Sequence, residues 1–571
     1  MVTLKINDKE VSVNDGDTIL DAAKKLNIFI PTLCYLKEIN KVASCRMCLV
    51  EIKGLPKLMT SCSTEAKEGM EVYTETDKIK EARKNNLELL LSNHNKDCDN
   101  CLKNNQCKFQ ELLDKYDIKE KYKNTREKLN IDNSTTYLVR DSNKCILCGR
   151  CVDVCSKVQD ISVIGRNGRG ITTQIGCAFE YPMVDSPCIG CGQCTLVCPT
   201  GALTEKDDTK EVENAINNKD LHVIACTAPA VRAALGEEFD MPIGTNAKGK
   251  MVTSLRKLGF DKVFDVDFAA DLTIMEEVNE LIERIKENKN LPMFTSCSPG
   301  WIKYVEQYHP ELIDNLSTCK SPQQMMGAIL KTYYAKKENI DPSKIFVVMI
   351  MPCIAKKFER ARDGANDIDV VLTTRETARM IKRQNIDFNS LEDSEYDLPL
   401  GIGASVVFGS SGGVMEAALR TLTETLTNKP LEKIEFNEVR GLDGIKEATY
   451  DVNGREINVA IVSGIKNAKK IIKKIKNKEV NYDFVEFMTC PGGCLNGGGQ
   501  PYIDFDKYDV EEVKKLRMKC LMEEDKNLPI RKAHENPSIK ELYKSFLDHP
   551  GSELAEKLLH TKYEKREKYK K

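Results

Sequence analysis

No run of about 18 or more apolar residues occurs in the 571-residue chain, which removes an ordinary membrane-spanning helix from consideration. The N-terminus lacks the basic, apolar and small-residue regions of a secretory signal, so a soluble, cytoplasmic protein is expected. Excess charge is absent as well. Lys and Arg number 85 against 87 Asp and Glu, a formal charge of -2, and that balance gives no argument for nucleic acid or a membrane surface as partner. No Gly-rich nucleotide fingerprint occurs, so flavin or NAD(P) would have to sit on another chain.

What the chain has in abundance is cysteine. The 23 thiols are odd in number and fall largely in short C-x2-C spacings. A disulfide framework needs an oxidising compartment, so thiolate metal sites are the better account. The length exceeds one core, and domain-size priors suggest about three to five units.

Residues 1–78 open with two short alternating runs around an Asn-Asp turn and a helix-like TILDAAKKLN, a small β-rich domain. Residues 79–118 are polar and helix-prone, and 119–136 carry few large apolar side chains and suggest a linker. Residues 137–210 repeat a cysteine motif, an internal duplication. From 211 to 571 the character changes: LHVIACTAP, LPMFTSC and KIFVVMIMPC are the apolar, β-branched runs of buried parallel strands, each ending near a cysteine or proline. Ligands gather at the C-terminal ends of strands in open α/β sheets, so these three segments are expected to converge on one site.

Four ligand sets follow from spacing. Cys34, Cys45, Cys48 and Cys62 are similar to a plant-type [2Fe-2S] loop, with a longer first gap. His94, Cys98, Cys101 and Cys107 form H-x3-C-x2-C-x5-C, which suits a [4Fe-4S] cluster whose imidazole ligand raises its potential; zinc is the competing occupant. Cys145, Cys148, Cys151 and Cys155, then Cys188, Cys191, Cys194 and Cys198, repeat C-x2-C-x2-C-x3-C. In two-cluster ferredoxins the fourth cysteine of each run serves the other cluster, which groups Cys198 with the first three and Cys155 with the second three. Cys177, Cys226 and Cys520 have no assigned partner and read as buried thiols.

Up to residue 210 the chain resembles two families equally, the [FeFe]-hydrogenases and the large iron–sulfur subunit of respiratory complex I with its formate dehydrogenase relatives. The second half separates them. FTSCSPGW (294–301), MPCIAKKFE (351–359) and FMTCPGGCLNGGGQ (487–500) resemble the three signature segments of [FeFe]-hydrogenases, in order. The resemblance implies a multidomain α+β and α/β chain: an N-terminal β-grasp plant-ferredoxin-like domain, a small helical cluster domain with one histidine and three cysteine ligands, a two-cluster bacterial-ferredoxin-like domain and a two-lobed α/β hydrogenase domain. It implies one [2Fe-2S], three accessory [4Fe-4S] and the H-cluster, a cubane bridged by cysteine to a di-iron site with CO, CN- and a dithiolate.

Residue by residue, Cys353, Cys490 and Cys494 match cubane ligands, with Cys494 bridging. Lys356 matches a donor to cyanide, and Met351, Met488, Phe408, Pro322 and Gln323 match the pocket lining, whose bland alternative is ordinary core. TSCSPGW departs from the family's paired cysteines: Cys297 falls on the proton relay and Ser298 on the fourth cubane ligand. Ser298 through oxygen, Cys297 itself or Cys319 stay open as that ligand, with thiolate chemistry favouring Cys297. Glu277, Glu280 and Ser317 match a relay from the surface, although two glutamates one helical turn apart are by themselves only a solvated face.

The implied activity is reversible H2 oxidation and proton reduction. Implied partners are ferredoxin, maturation proteins for the di-iron site, and flavin- and NAD(P)-binding iron–sulfur subunits; TSCSPGW, NLSTCKSPQQM and the basic end favour such a bifurcating complex over ferredoxin alone. A hydrogen sensor or passive electron wire is the reading from another class, and a wire has no use for a proton path. The final HTKYEKREKYKK reads as a solvated tail, with docking of a partner subunit as its alternative.

Overall fold

The structure is a computed structural model and describes residues 1–122, 127–362 and 367–569. The chain divides into two compact units, Met1–Ser186 with Gln193–Thr204 and Tyr502–Tyr508, and Pro187–Gly192 with Glu205–Pro501 and Asp509–Lys571. The architecture is multidomain α/β.

In the first unit β1 (Val2–Ile6) and β2 (Lys9–Val13) form a hairpin whose turn residues Asn7 and Asp8 take φ of 46° and 65°, a conformation these two side chains tolerate. With β3 (Leu49–Ile52), β4 (Met59–Thr60) and β5 (Glu71–Tyr73) they make a sheet in the order β2-β1-β5-β3-β4, in which β1 and β5 run parallel. Helix Ile19–Lys25 starts at a Thr18–Asp21 capping box and buries Ile19, Leu20, Ala22 and Ala23. Downstream lie the helices Asp77–Leu91 and Lys108–Lys115, the second beginning at Cys107, and the hairpin β6 (Ile164–Asn167) and β7 (Gln174–Cys177).

The linker expected at 119–136 is packed down in its second half, while 123–126 lie outside the described residues. Leu129 exchanges two 2.8 Å hydrogen bonds with the Asn143 side chain, and Asp132 pairs with Arg140 at 3.4 Å and accepts Met183 N–H at 2.9 Å. Polar anchors do there what apolar side chains would do elsewhere, which a hydrophobicity pattern does not register.

The second unit contains two sheets. β8 (His222–Thr227), β9 (Lys262–Asp265), β11 (Ile345–Met351) and β12 (Val370–Thr373) are all parallel in the order β9-β8-β11-β12. β10 (Met293–Phe294), β13 (Ile445–Val452), β14 (Arg455–Ser463) and β15 (Phe484–Met488) follow the order β10-β15-β14-β13, with β13 antiparallel. β8, β11 and β12 are buried almost throughout, which is why they read as continuous Val and Ile runs. The 21-residue helix Asp267–Glu287 buries one long face and carries the paired glutamates. Among the described residues no helix is long and apolar enough to cross a membrane.

The C-terminal run expected to be a solvated tail is in part tied down. Arg566 pairs with the fully buried Glu306 at 2.7 Å, and Thr561 N–H donates to Thr318 O at 2.8 Å. A buried carboxylate and a backbone carbonyl hold those residues; Lys570 and Lys571 lie outside the described residues.

Candidate active site

The strand ends converge as the sequence pattern implied. β8 runs into Ala228, Pro229 and Ala230, β10 leads to Cys297 and Ser298, β11 ends at Met351 before Cys353, and β15 ends at Met488 before Cys490. These residues line one cavity of about 90 Å³ together with Cys494, Lys356, Pro322, Gln323 and Phe408. Cys191 from the duplicated motif also lines it.

The wall has the features that a large inorganic group requires. Gly493 has φ 88°, and a Cβ there would stand 2.6 Å from Ser411 N; at Gly497 it would stand 2.2 Å from Pro352 O. Burial raises the Cys353 thiol and pushes Cys494 up to about 12, with the neighbouring Cys353 adding to the latter and Lys356 opposing. Such thiols gain charge readily only from bound metal cations, which deprotonate a coordinating sulfur. Gln323 Oε1 is buried without a partner. The thiol donor set and the glycine-lined cradle fit a cluster of iron and sulfide.

Lys356 is held in place. Its Nζ donates to Glu359 Oε2 at 2.9 Å and to Cys297 O at 3.1 Å, while Ser321 Oγ and Gln323 Nε2 donate to the same Glu359 oxygen at 2.9 and 3.1 Å. Glu359 was missed by sequence reasoning, although its i+3 spacing from Lys356 is the signal that could have found it.

The departing motif splits in two directions. Cys297 is raised well above its usual range by burial first and then by the charge of Glu277, with Lys356 pulling the other way and Cys494 adding to the rise. Ser298 Oγ is 2.8 Å from Thr489 Oγ1 and accepts Thr489 N–H at 3.2 Å, which sets it beside Cys490. Cys319 does not line the cavity: it is fully buried with its sulfur 3.7 Å from Glu280 Oε2, so its candidacy as the fourth ligand fails on position.

Glu277, Ser317 and Glu280, the residues expected to form a relay, lie close together. Glu277 is 2% exposed, and its carboxyl is pushed up to about 8 by burial, with Glu280 adding and contacts to Ser317 and the Ser296 backbone opposing. Ser317 Oγ donates to Glu280 Oε2 at 2.7 Å, and Arg284 holds Glu280 Oε1 at 2.6 Å.

Comparison with known proteins decides the family. A profile described as "Iron only hydrogenase large subunit, C-terminal domain" matches residues 221–498. The NADP-reducing hydrogenase subunit HndD of Solidesulfovibrio fructosivorans is 47% identical over 587 residues, covering 100% of both chains. The chain belongs to the iron-only, or [FeFe]-, hydrogenase family. Iron hydrogenase 1 of Clostridium pasteurianum is 43% identical over 99% of this chain and 100% of its own. The solved apo [FeFe]-hydrogenase HydA1 from Chlamydomonas reinhardtii, in variant form, matches with a TM-score of 0.55 and 38% identity, covering 62% of this chain and 98% of that one. This protein is thus an oxidoreductase, an [FeFe]-hydrogenase of the multi-cluster clostridial type with an H-cluster domain.

Accessory iron–sulfur domains precede the hydrogenase domain. A "2Fe-2S iron-sulfur cluster binding domain" matches 1–77, an "NADH-ubiquinone oxidoreductase-G iron-sulfur binding region" matches 83–121 and a "4Fe-4S dicluster domain" matches 144–202; an "Iron hydrogenase small subunit" profile matches 511–566. In the first, Cys34, Cys45, Cys48 and Cys62 are all buried, Cys48 and Cys62 sulfurs are 3.2 Å apart, and the hydrogen bond from Cys45 draws the Cys34 thiol down to about 5 against its burial. His94 is half-buried with its Nδ1 enclosed and unpartnered, and desolvation lowers it to about 4, so it is the neutral imidazole that ligation needs. Cys98, Cys101 and Cys107 follow it, and a Cβ on Gly201 would lie 2.4 Å from Cys101 sulfur. Cys145, Cys148, Cys151 and Cys198 line one small cavity, while the last set divides, Cys155 and Cys194 in the first unit and Cys188 and Cys191 in the second.

Proposed function

We propose that this hydrogenase interconverts H2 with protons and electrons as the hydrogen-activating subunit of an NAD(P)-linked, electron-bifurcating complex in the cytoplasm. The observation that carries the chemistry is the mainly apolar cavity where Cys353, Cys490 and Cys494 meet the anchored Lys356 and the Cys297 side of the Glu277 relay. The H-cluster would supply the open iron position at which H2 is polarised and the base that takes its proton.

The chain's own residues do the rest. Cys353, Cys490 and Cys494 would hold the cubane and its linked di-iron site. Lys356 would donate to an anionic ligand of that group, an ammonium that Glu359 keeps aimed and partly compensated. We assign the relay to Cys297 and the fourth cubane corner to Ser298, reversing the preference that thiolate chemistry alone suggested. Cys297 shares its surroundings with Glu277, Lys356 and Cys494, whereas the Ser298 hydroxyl sits beside Cys490. From Cys297 a proton would pass to Glu277, across Ser317 to Glu280 and outward. Glu277, held protonated to about pH 8, can donate and reload at neutral pH. Met351, Met488 and Phe408 keep water out.

Electrons would leave through the [4Fe-4S] centre of Cys188, Cys191, Cys194 and Cys155, then that of Cys145, Cys148, Cys151 and Cys198, to the His94 centre and a [2Fe-2S] cluster in a β-grasp domain. Full-length similarity to an NADP-reducing hydrogenase subunit supports partner chains bearing flavin and NAD(P). Comparable similarity to a protein named simply as an iron hydrogenase keeps a second reading, a hydrogenase working without NAD(P)-binding subunits and exchanging electrons with ferredoxin. Infrared spectra of anaerobically matured protein test the chemistry through bands of iron-bound CO and CN-; their absence, with no H2 evolved from a strong reductant, would sink it. Native purification tests the complex, since flavin-bearing subunits should co-elute. Mössbauer and EPR on Cys297→Ala and Ser298→Ala separately would show which one perturbs the cubane.

A further inference from the structure

We propose that His560, on the C-terminal segment, is the group through which Glu280 exchanges protons with solvent. This rests on the reading of Glu277, Ser317 and Glu280 as the proton path. The need for such a group comes from Arg284. It grips Glu280 Oε1 with Nη2 at 2.6 Å and Nε at 3.1 Å, and its remaining donors reach the carbonyls of Asn290, Asp314, Asn315 and Leu316 at 2.7–3.3 Å. A guanidinium keeps its protons in proteins, so Arg284 can orient Glu280 but cannot relay for it.

His560 is the titratable side chain on the other side. A ring nitrogen of His560, a carboxylate oxygen of Glu280 and the Cys319 sulfur all lie within 4.8 Å of one another. That separation is within one water of transfer. Nδ1 is 2.7 Å from Oγ1 of the exposed Thr318, whose backbone N–H donates to Glu280 at 3.1 Å, and Nε2 is 3.2 Å from Glu276 Oε2. The ring therefore stands between a solvent-facing hydroxyl and two carboxylates. Backbone pairing keeps it there: Lys320 N–H donates to Leu559 O at 2.7 Å and Thr561 N–H to Thr318 O at 2.8 Å.

The groups facing His560 are Glu276 and Glu280 from helix Asp267–Glu287, Cys319 and Thr318 from the adjoining segment, and Glu556 of its own helix at 3.8 Å. Tyr543 OH at 2.5 Å and Gly551 N–H at 2.9 Å complete the shell of Glu276, and Arg284 is the cation beyond Glu280. Burial opposes a charged ring, yet the Glu276 contact and the charges of Glu556 and Glu280 outweigh it and raise His560 above its ordinary value. In H2 oxidation the Glu280 carboxyl proton passes to the neutral imidazole, leaving a carboxylate, and the imidazolium releases it at the Thr318 face. Evolution runs the same steps backwards.

The test uses the matured full-length enzyme with His560→Gln and His560→Ala, after iron content and melting temperature show both to be folded and loaded. Turnover is expected to fall at least ~10-fold, the histidine limb of the pH–rate profile to disappear, and added imidazole to restore His560→Ala but leave the native enzyme unchanged. Histidine C2 hydrogen–deuterium exchange by mass spectrometry should find the His560 midpoint lowered in Glu276→Gln. A native rate and profile in His560→Gln, or a loss that imidazole does not relieve, overturns the proposal. Glu280→Gln separates the two layers: if it collapses while His560→Gln is native, only the His560 role falls, and if Glu280→Gln is itself near native, the path is wrong.

Discussion

The two units gather their cysteines in opposite ways. In the first, cysteines cluster along short stretches of chain: Cys45 and Cys48 share a tight loop with positive φ at Ala43 and Arg46, and Cys107 opens the helix Lys108–Lys115. In the second, Cys297, Cys353 and the Cys490–Cys494 pair come from three separate strand ends and meet only because the lobes fold. A locally built site should be removable without harming its neighbours, whereas the shared cavity should fail as a whole when one wall is altered.

The largest effect tests that contrast most directly. Cys494→Ser should abolish H2 turnover and the CO and CN- infrared bands, with the EPR signals of the accessory clusters intact; surviving turnover would break the comparison. Next, Glu280→Ala with all clusters present should lower turnover by roughly 10²–10⁴-fold, the range for losing a proton-transfer group. In the first unit, Cys45→Ala should erase the [2Fe-2S] signal and exchange with protein carriers, but retain H2 evolution from a small artificial reductant. His94→Cys should be milder still, lowering the potential of its centre in a redox titration because a thiolate adds negative charge, with turnover on artificial reductant unchanged.

The smallest expected effect is on stability. Glu277 is raised from 4.5 to about 8, so its unfolded form ionises first and the stability of the protonated native state is lost progressively across that window as pH rises. Glu277→Gln should flatten the fall in melting temperature between those limits. An unchanged slope would mean the carboxyl is less shielded than its burial implies.

Much of the site was legible in the sequence because sulfur chemistry demands spacing. The [2Fe-2S] loop, the His94 motif and the duplicated motif are short enough for backbone geometry to constrain them, and the apolar runs before Cys297 and Cys353 signalled buried parallel strands. Less legible was the linker, where Asn143 and Asp132 anchor Leu129 and Met183 through polar contacts that hydropathy does not see. The tail misled for a similar reason: its charges looked solvated, yet Arg566 answers a carboxylate buried far upstream.

By itself the sequence indicated which cysteines stand at cluster spacing and which strand ends carry reactive groups, since these depend on local spacing and periodicity. Only the tertiary structure decided that Cys297 lies in the field of Glu277 and Lys356 while Ser298 Oγ meets Thr489, that Glu359 aims Lys356, and that Cys319 stands with Glu280 and His560 outside the cavity. Those assignments are differences of a few ångströms between side chains far apart in the chain. Interactions that steep with distance and burial are set by packing, and no linear pattern encodes them.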